Sequence, residues 1–188
     1  ILKGINADKF AMFERNPEEF IIKTSTLINE QKATVIVQQI TYNKLTETHS
    51  TDIFTEPNMK GQLGVNAMVS PKHLYDYLIF DSKASEQKFA EELEAANEVV
   101  LYVKLPRGFY INTPVGKYNP DWAIAFDSAK VKHIYFVAET KGDLSTLQLR
   151  EIESAKIQCA RKHFAAISTD SVVYDQVACY EDLLKGVK

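Results

Sequence analysis

Asn119-Pro120-Asp121-Trp122-Ala123-Ile124-Ala125-Phe126 and His133-Ile134-Tyr135-Phe136-Val137-Ala138-Glu139-Thr140-Lys141-Gly142 are two apolar runs with strand character and three charged residues at their ends. Asp121 opens the first run, and Glu139 and Lys141 close the second. Side chains of a strand alternate between its faces, so Glu139 and Lys141 share one face. Antiparallel pairing through a turn near Asp127 to Lys130 brings the start of one strand to the end of the other. Asp121 then lies beside Glu139 and Lys141. Two carboxylates and an ammonium in one small site suit a divalent cation and a phosphodiester.

Asp, Glu and Lys at this spacing are weak evidence alone, with 17 residues between Asp121 and Glu139. Their context is stronger. Pro120 can start an edge strand without breaking a ladder. Each charge ends an apolar strand, where it needs a partner or a metal. A structural Asp121–Lys141 ion pair is the competing account. Glu86 lies on one helical stripe with Phe89 and Leu93 and so faces the sheet; it either completes a metal site or sits as a first-turn acid at the positive helix end. Leu149, Ile152, Lys156, Cys159 and His163 form a second stripe. Lys156 there either meets a phosphate or covers apolar surface with its stem. His163 reads as a core or rim histidine, and His133 has no ligand neighbour at useful spacing. Trp122, Phe126 and Phe136 are expected in the core, on the face opposite Asp121.

The chain has 188 residues, 45% hydrophobic and 25% charged, with a formal charge of −3. This is ordinary for one globular domain, or a domain with a smaller neighbour, and its net charge does not announce nucleic acid. From Ser128 to Ala165, seven Lys or Arg face four acids, so the segment with the proposed site is locally basic, although a solvated helix face explains much of that. Cys159 and Cys179 have no metal-binding spacing and fit a reduced intracellular protein. No secretory segment or membrane span is recognisable. The start at Ile1, without Met, reads as an excised piece of a larger polypeptide.

Asn16-Pro17-Glu18-Glu19 starts a helix expected to reach about Lys32. Ala33 to Tyr42 is β-branched and favours a strand, with a continued helix as the alternative. Residues 43–66 read as loops around a short turn at Ile53-Phe54. Ser70-Pro71-Lys72-His73-Leu74 reads as a second helix start, burying Leu74, Tyr77 and Leu78. From Ser82 the expected order is a helix to Asn97, strands at Val99–Leu105 and Phe109–Asn112, the central pair, a helix over Leu147–Phe164 and a strand near Ser171–Cys179. A short helix over Glu181–Lys185 ends the chain. The fold class is therefore α/β, a central mixed sheet flanked by helices.

Tyr118-Asn119-Pro120-Asp121-Trp122-Ala123-Ile124 followed by Val137-Ala138-Glu139-Thr140-Lys141-Gly142 resembles the PD-(D/E)XK nuclease core. More narrowly, it is similar to the C-terminal endonuclease domain of the Res subunit of type III restriction enzymes. Ser85-Glu86-Gln87-Lys88-Phe89-Ala90, Lys104-Leu105-Pro106, Phe109-x-Ile111-x-Thr113-Pro114 and Lys156-Ile157-x-Cys159-Ala160-x-Lys162-His163-Phe164 match further. Asn16-Pro17-Glu18-Glu19-Phe20 and Leu27-Ile28-Asn29-Glu30-Gln31-Lys32 resemble the stretch that joins that domain to its motor. The resemblance covers most of the chain, is densest over 85–164 and weakest over 43–80. It implies a restriction-endonuclease-like core over residues 81–188. Residues 1–80 would be a helical or linker extension joining an ATPase motor.

The resemblance implies a metal-dependent DNA endonuclease. Asp121 and Glu139 match the metal-binding carboxylates, Lys141 the motif lysine, and Glu86 the glutamate of the first core helix. The Thr140 backbone carbonyl is an expected further metal ligand, and Lys156 a DNA contact. Lys141 either stabilises the charge at phosphorus or orients the attacking water, and one metal or two remain open. Mg²⁺ is the implied cofactor, with Mn²⁺ as substitute. ATP belongs only to the parent subunit, because no Gly-x-x-x-x-Gly-Lys-Ser/Thr occurs here. Implied partners are double-stranded DNA, the methyltransferase subunit and the translocase part of the same polypeptide, in the cytoplasm. The alternative is a catalytically inert DNA-binding or docking module that retains the nuclease fold.

Overall fold

A computed structural model of the chain describes residues 4, 6–44, 51–55, 60–129, 135–140, 147–167 and 172–187. Helix α1 (Ala7–Arg15) leads into α2 (Pro17–Gln39). Asn16 caps α2 as expected: its Oδ1 accepts from the Glu19 N–H at 3.1 Å, and its Nδ2 donates to Glu19 Oε2 at 3.0 Å.

The strand favoured over 33–42 is not present, because α2 continues to Gln39. Tertiary packing overrides the β-branched propensity. Val37 is buried against Ala155 and Cys159 of α4 (Leu147–Ile167). Lys162 of α4 donates its ammonium to the Val37, Gln38 and Ile40 carbonyls at 2.8, 2.7 and 3.3 Å. These carbonyls, at the negative end of α2, would otherwise lack partners. A 3₁₀ turn over Thr51–Phe54 matches the expected short turn.

The helix expected from Ser70 is also absent. Its place is taken by an antiparallel hairpin, β1 (Ala67–Val69) with β2 (Tyr77–Ile79). Leu78 is buried, whereas Leu74 and Tyr77 are exposed. The backbone between the strands bonds outward to the edge of β3 (Val99–Lys104): Tyr102 N–H donates to Lys72 O, and Leu74 N–H to Tyr102 O, both at 2.9 Å. Backbone groups committed to a sheet edge cannot also form helical bonds.

After Ser82, whose hydroxyl accepts from the Ser85 N–H, a π-helical turn over Lys83–Gln87 runs into α3 (Lys88–Ala95). Phe89, Leu93 and Ala96 point inward, as their spacing predicts. The central sheet has the order β3-β6-β7-β8, with β6 at Trp122–Phe126, β7 at Tyr135–Thr140 and β8 at Val172–Val177. The first two pairs are antiparallel and β7–β8 is parallel, crossing over through α4. The sheet is therefore mixed, as expected. A small hairpin, β4 (Ile111–Thr113) with β5 (Gly116–Tyr118), adds one strand to the expected order. Gly116, at φ +112°, makes the turn that a side chain would strain. Helix α5 (Tyr180–Val187) closes the described chain.

Trp122, Ile124 and Phe126 pack with α3 and α5, while Val103 packs with Ile157, Ala160 and Phe164 of α4. Trp122 and Phe126 are thus core residues, as read from the sequence; the Phe136 side chain and His133 lie outside the described residues. Leu78 joins the α3 cluster. The hairpin at 67–79 is therefore attached to the sheet, inside the stretch expected to be the extension.

Candidate functional site

Three strand ends meet at one end of the sheet. Trp122, the first residue of β6, pairs with Lys104 at the end of β3 and with Ala138 near the end of β7. Asp121 stands one residue before β6, and its carbonyl accepts from Leu105 N–H at 2.8 Å. Pro120 is fully buried, and Asn119 ties the preceding loop by donating Nδ2 to Phe109 O at 2.6 Å.

Asp121 reaches the end of β7, as expected, and the described residue that meets it is Thr140. The Thr140 N–H and hydroxyl both donate to Asp121 Oδ2, at 2.9 and 2.7 Å. Glu139 belongs to β7 and pairs with Gln176 of β8. Continuing the β6–β7 register places Glu139 opposite Asp121. The Glu139 side chain and all of Lys141 lie outside the described residues.

Glu86, on the π-helical turn, points inward as its stripe predicts, with a side chain only 14% exposed. Its Oε2 accepts from Lys104 Nζ at 2.8 Å and from the Asp81 N–H at 2.7 Å. Lys104 Nζ also reaches Asp81 Oδ2 at 3.1 Å. These charges act on Asp121. Burial pushes the Asp121 carboxyl above its ordinary value, the two Thr140 bonds oppose that, the Glu86 charge adds to it and the Lys104 charge opposes it. Burial alone would lower the Lys104 ammonium, but Glu86 and then Asp81 outweigh it and hold its pKa above the ordinary value.

A family model described as an endonuclease domain matches residues 71–180. The chain belongs to this endonuclease-domain family. The α/β fold of the endonuclease domain is accordingly restriction-endonuclease-like, and the family makes it a nuclease. No curated protein and no solved structure matches the chain. Glu86, Lys104, Asp121, Glu139, Thr140, Lys141 and Lys156 all fall within the matched residues of the endonuclease domain. Among the described residues no helix is long and apolar enough to cross a membrane.

Lys156 pairs with Glu153 at 2.8 Å. Its stripe neighbours turn toward α2 and the segment after it: Cys159 is buried against Val37, and His163 packs edge-on against Tyr42 at 5.0 Å. His163 is thus a packed histidine. The sequence reading missed three contributors. Lys104 closes the apolar run Val99-Val100-Leu101-Tyr102-Val103 much as Lys141 closes its own, and that signal was available. Thr140 contributes its side chain and N–H to Asp121, beyond the carbonyl expected of it. His73 carries no sequence signal, because its role is set by the hairpin.

The His73 imidazole continues the ladder along the β3 edge. The Lys104 N–H donates to His73 Nε2 at 3.2 Å, and His73 Nδ1 lies against the Tyr75 backbone, 3.2 Å from its carbonyl oxygen and 3.3 Å from its N–H nitrogen. Burial lowers the His73 pKa to about 4, which keeps Nε2 free to accept. Beside it runs a cleft of about 280 Å³, lined among others by His73, Asp81, Lys104, Pro106 and Arg107.

Among the described residues, no group of three His, Cys, Asp or Glu side chains is placed to hold a metal. The donors present are the carboxylates of Asp121 and Glu86 with Thr140 beside them. Hard oxygen ligands of this kind fit Mg²⁺ or Mn²⁺, and the register adds the position of Glu139.

Proposed function

We propose that the endonuclease domain is the metal-dependent DNA-cleaving part of a type III restriction enzyme Res subunit. The observation that carries this reading is the half-buried Asp121 carboxylate, gripped twice by Thr140 and within the fields of Glu86 and Lys104. Partly buried charge of this density at converging strand ends carries a desolvation cost that a bound ligand would offset.

In this reading Asp121, Glu139, the Thr140 carbonyl and Glu86 hold Mg²⁺, for which Mn²⁺ substitutes. A bound Mg²⁺ supplies polarisation of the scissile phosphate and a water of lowered pKa. The two Thr140 hydrogen bonds favour the ionised Asp121 carboxylate, against the burial that raises its pKa. Lys141 either offsets charge at the phosphate or orients the attacking water. Lys156 contacts the DNA backbone. Such contacts are independent of sequence and weaken with salt. Target choice then falls to a methyltransferase subunit, and the ATP-driven approach along double-stranded DNA to the translocase part of the same polypeptide, in the cytoplasm.

The test is nicking of supercoiled plasmid by the purified chain with Mg²⁺, Mn²⁺ or EDTA, beside Lys141→Ala and Asp121→Ala. Metal-dependent nicking that both variants lose is expected. An active, folded Asp121→Ala variant would overturn the site. An inert wild type that also takes up no Mn²⁺ by calorimetry would instead identify a docking module.

A further inference from the structure

The proposed site contains a cation that the functional reading does not use. Lys104 ends β3 with its side chain 22% exposed, and it meets Glu86, 14% exposed, at 2.8 Å. Its second partner, Asp81, is 84% exposed, so the sheltered contact is the one with Glu86. Surface ion pairs are weak because water screens them, but shielding strengthens this pair. Glu86 is also held independently of Lys104, because the Asp81 N–H donates to the same Oε2 at 2.7 Å. Removing the ammonium therefore leaves the carboxylate anchored. We propose that Lys104 is the resident counter-cation of the carboxylate site: its ion pair with Glu86 competes with a divalent cation and sets the affinity with which that cation binds. The inference rests on the metal-site reading above.

The charges give the sign. Asp121, Glu86 and Lys104 together carry a net charge of minus one, and loss of Lys104 takes it to minus two. An ammonium on Glu86 repels an incoming divalent cation and occupies one of its oxygen donors. Lys104 thereby offsets the Glu86 charge that acts on Asp121. Lys104 and Arg107 both line the cleft.

The experiment is calorimetric titration of Mn²⁺ into the full chain and into Lys104→Met, Lys104→Gln and Lys104→Arg, each checked by thermal unfolding. The Met and Gln variants are expected to bind Mn²⁺ about tenfold tighter, the scale of one nearby charge acting on a divalent ion in partly screened surroundings. Arg, which keeps the charge, is expected to bind as wild type does. If the Met variant fails to fold, the Gln variant, which can still donate a hydrogen bond, decides. Unchanged or weaker binding in the neutral variants, or equal tightening in Lys104→Arg, overturns the counter-cation role while wild-type binding leaves the metal site standing. No binding by any form, wild type included, overturns the metal site and this inference with it.

Discussion

Replacing Thr140 by Val tests whether the ionisation of Asp121 governs cleavage. The change removes the hydroxyl that donates to Asp121 Oδ2 at 2.7 Å and leaves the backbone N–H at 2.9 Å in place. Thr140 is 8% exposed, so bulk water does not replace the lost donor. A hydrogen bond to a charged acceptor contributes about 1.5–3 kcal/mol. That is roughly a tenfold to hundredfold change in the ratio of ionised to protonated Asp121. The sign follows from the opposing influences on the group: burial raises the pKa and the hydroxyl lowers it, so losing the hydroxyl raises it further. On the acid side of the pH–rate profile, the variant should nick plasmid at least about tenfold more slowly than wild type. At alkaline pH the carboxylate is ionised in both proteins, and their rates should converge. The assay is initial nicking rate from about pH 5 to about pH 9, with Thr140→Ser expected to restore the wild-type profile. An equal loss at every pH would refute the reasoning, because it would show that Thr140 acts through structure and not through the charge of Asp121.

Three further outcomes follow from the same geometry. Asp121→Asn should abolish cleavage yet raise the unfolding temperature at neutral pH. With its folded-state pKa above the unfolded value, Asp121 loses its proton at a cost to stability as pH rises through the folded value, and Asn avoids that cost; a lowered melting temperature in calorimetry would contradict this. His73 has the opposite linkage, since burial depresses it to about 4. Its contribution to stability is complete above about pH 6.5 and is lost as pH falls toward 4, so urea midpoints of His73→Gln should depend less on pH in that window than those of wild type. Leu93→Ala, in the α3 core, should cost about 2–5 kcal/mol in chemical denaturation; a loss below about 1 kcal/mol would mean that α3 repacks over the cavity.

Legibility in the sequence followed how locally each feature is decided. The α3 stripe, the central strand pair and α4 carry strong periodicity, and Phe89, Leu93, Trp122, Phe126 and Cys159 stand where that periodicity puts them. The charged ends of β6 and β7 could be paired on paper because a strand pair joined by a short turn has one natural register. Residues 33–39 were misjudged because the decisive partners, Cys159 and the Lys162 ammonium, lie more than a hundred positions away. The hairpin at 67–79 was misjudged for the same reason: Ser-Pro is a good helix start, but the backbone after it is claimed by Tyr102. The end of the apolar run at Lys104 is visible in the sequence, but its pairing with Glu86 is not, because Glu86 reaches it from another element.

That last contact depends on an irregularity in the sheet. Between Val99 and Leu101 the β3–β6 register shifts by one: Val99 pairs with Phe126, but Leu101 pairs with Ala125. Had the register of Val99 continued unbroken, Val103 would stand opposite Trp122. With the bulge, Lys104 does. Residues directly opposite in an antiparallel pair share a face, so the extra residue turns Lys104 to the Trp122 side of the sheet, where Phe89 of α3 packs against that ring at 5.7 Å. Glu86, three residues before Phe89, is on the same side. The bulge costs ladder regularity at the far end of the strand and leaves Val100 exposed. Its effect at the near end is to bring an ammonium, and not an isopropyl group, to Glu86.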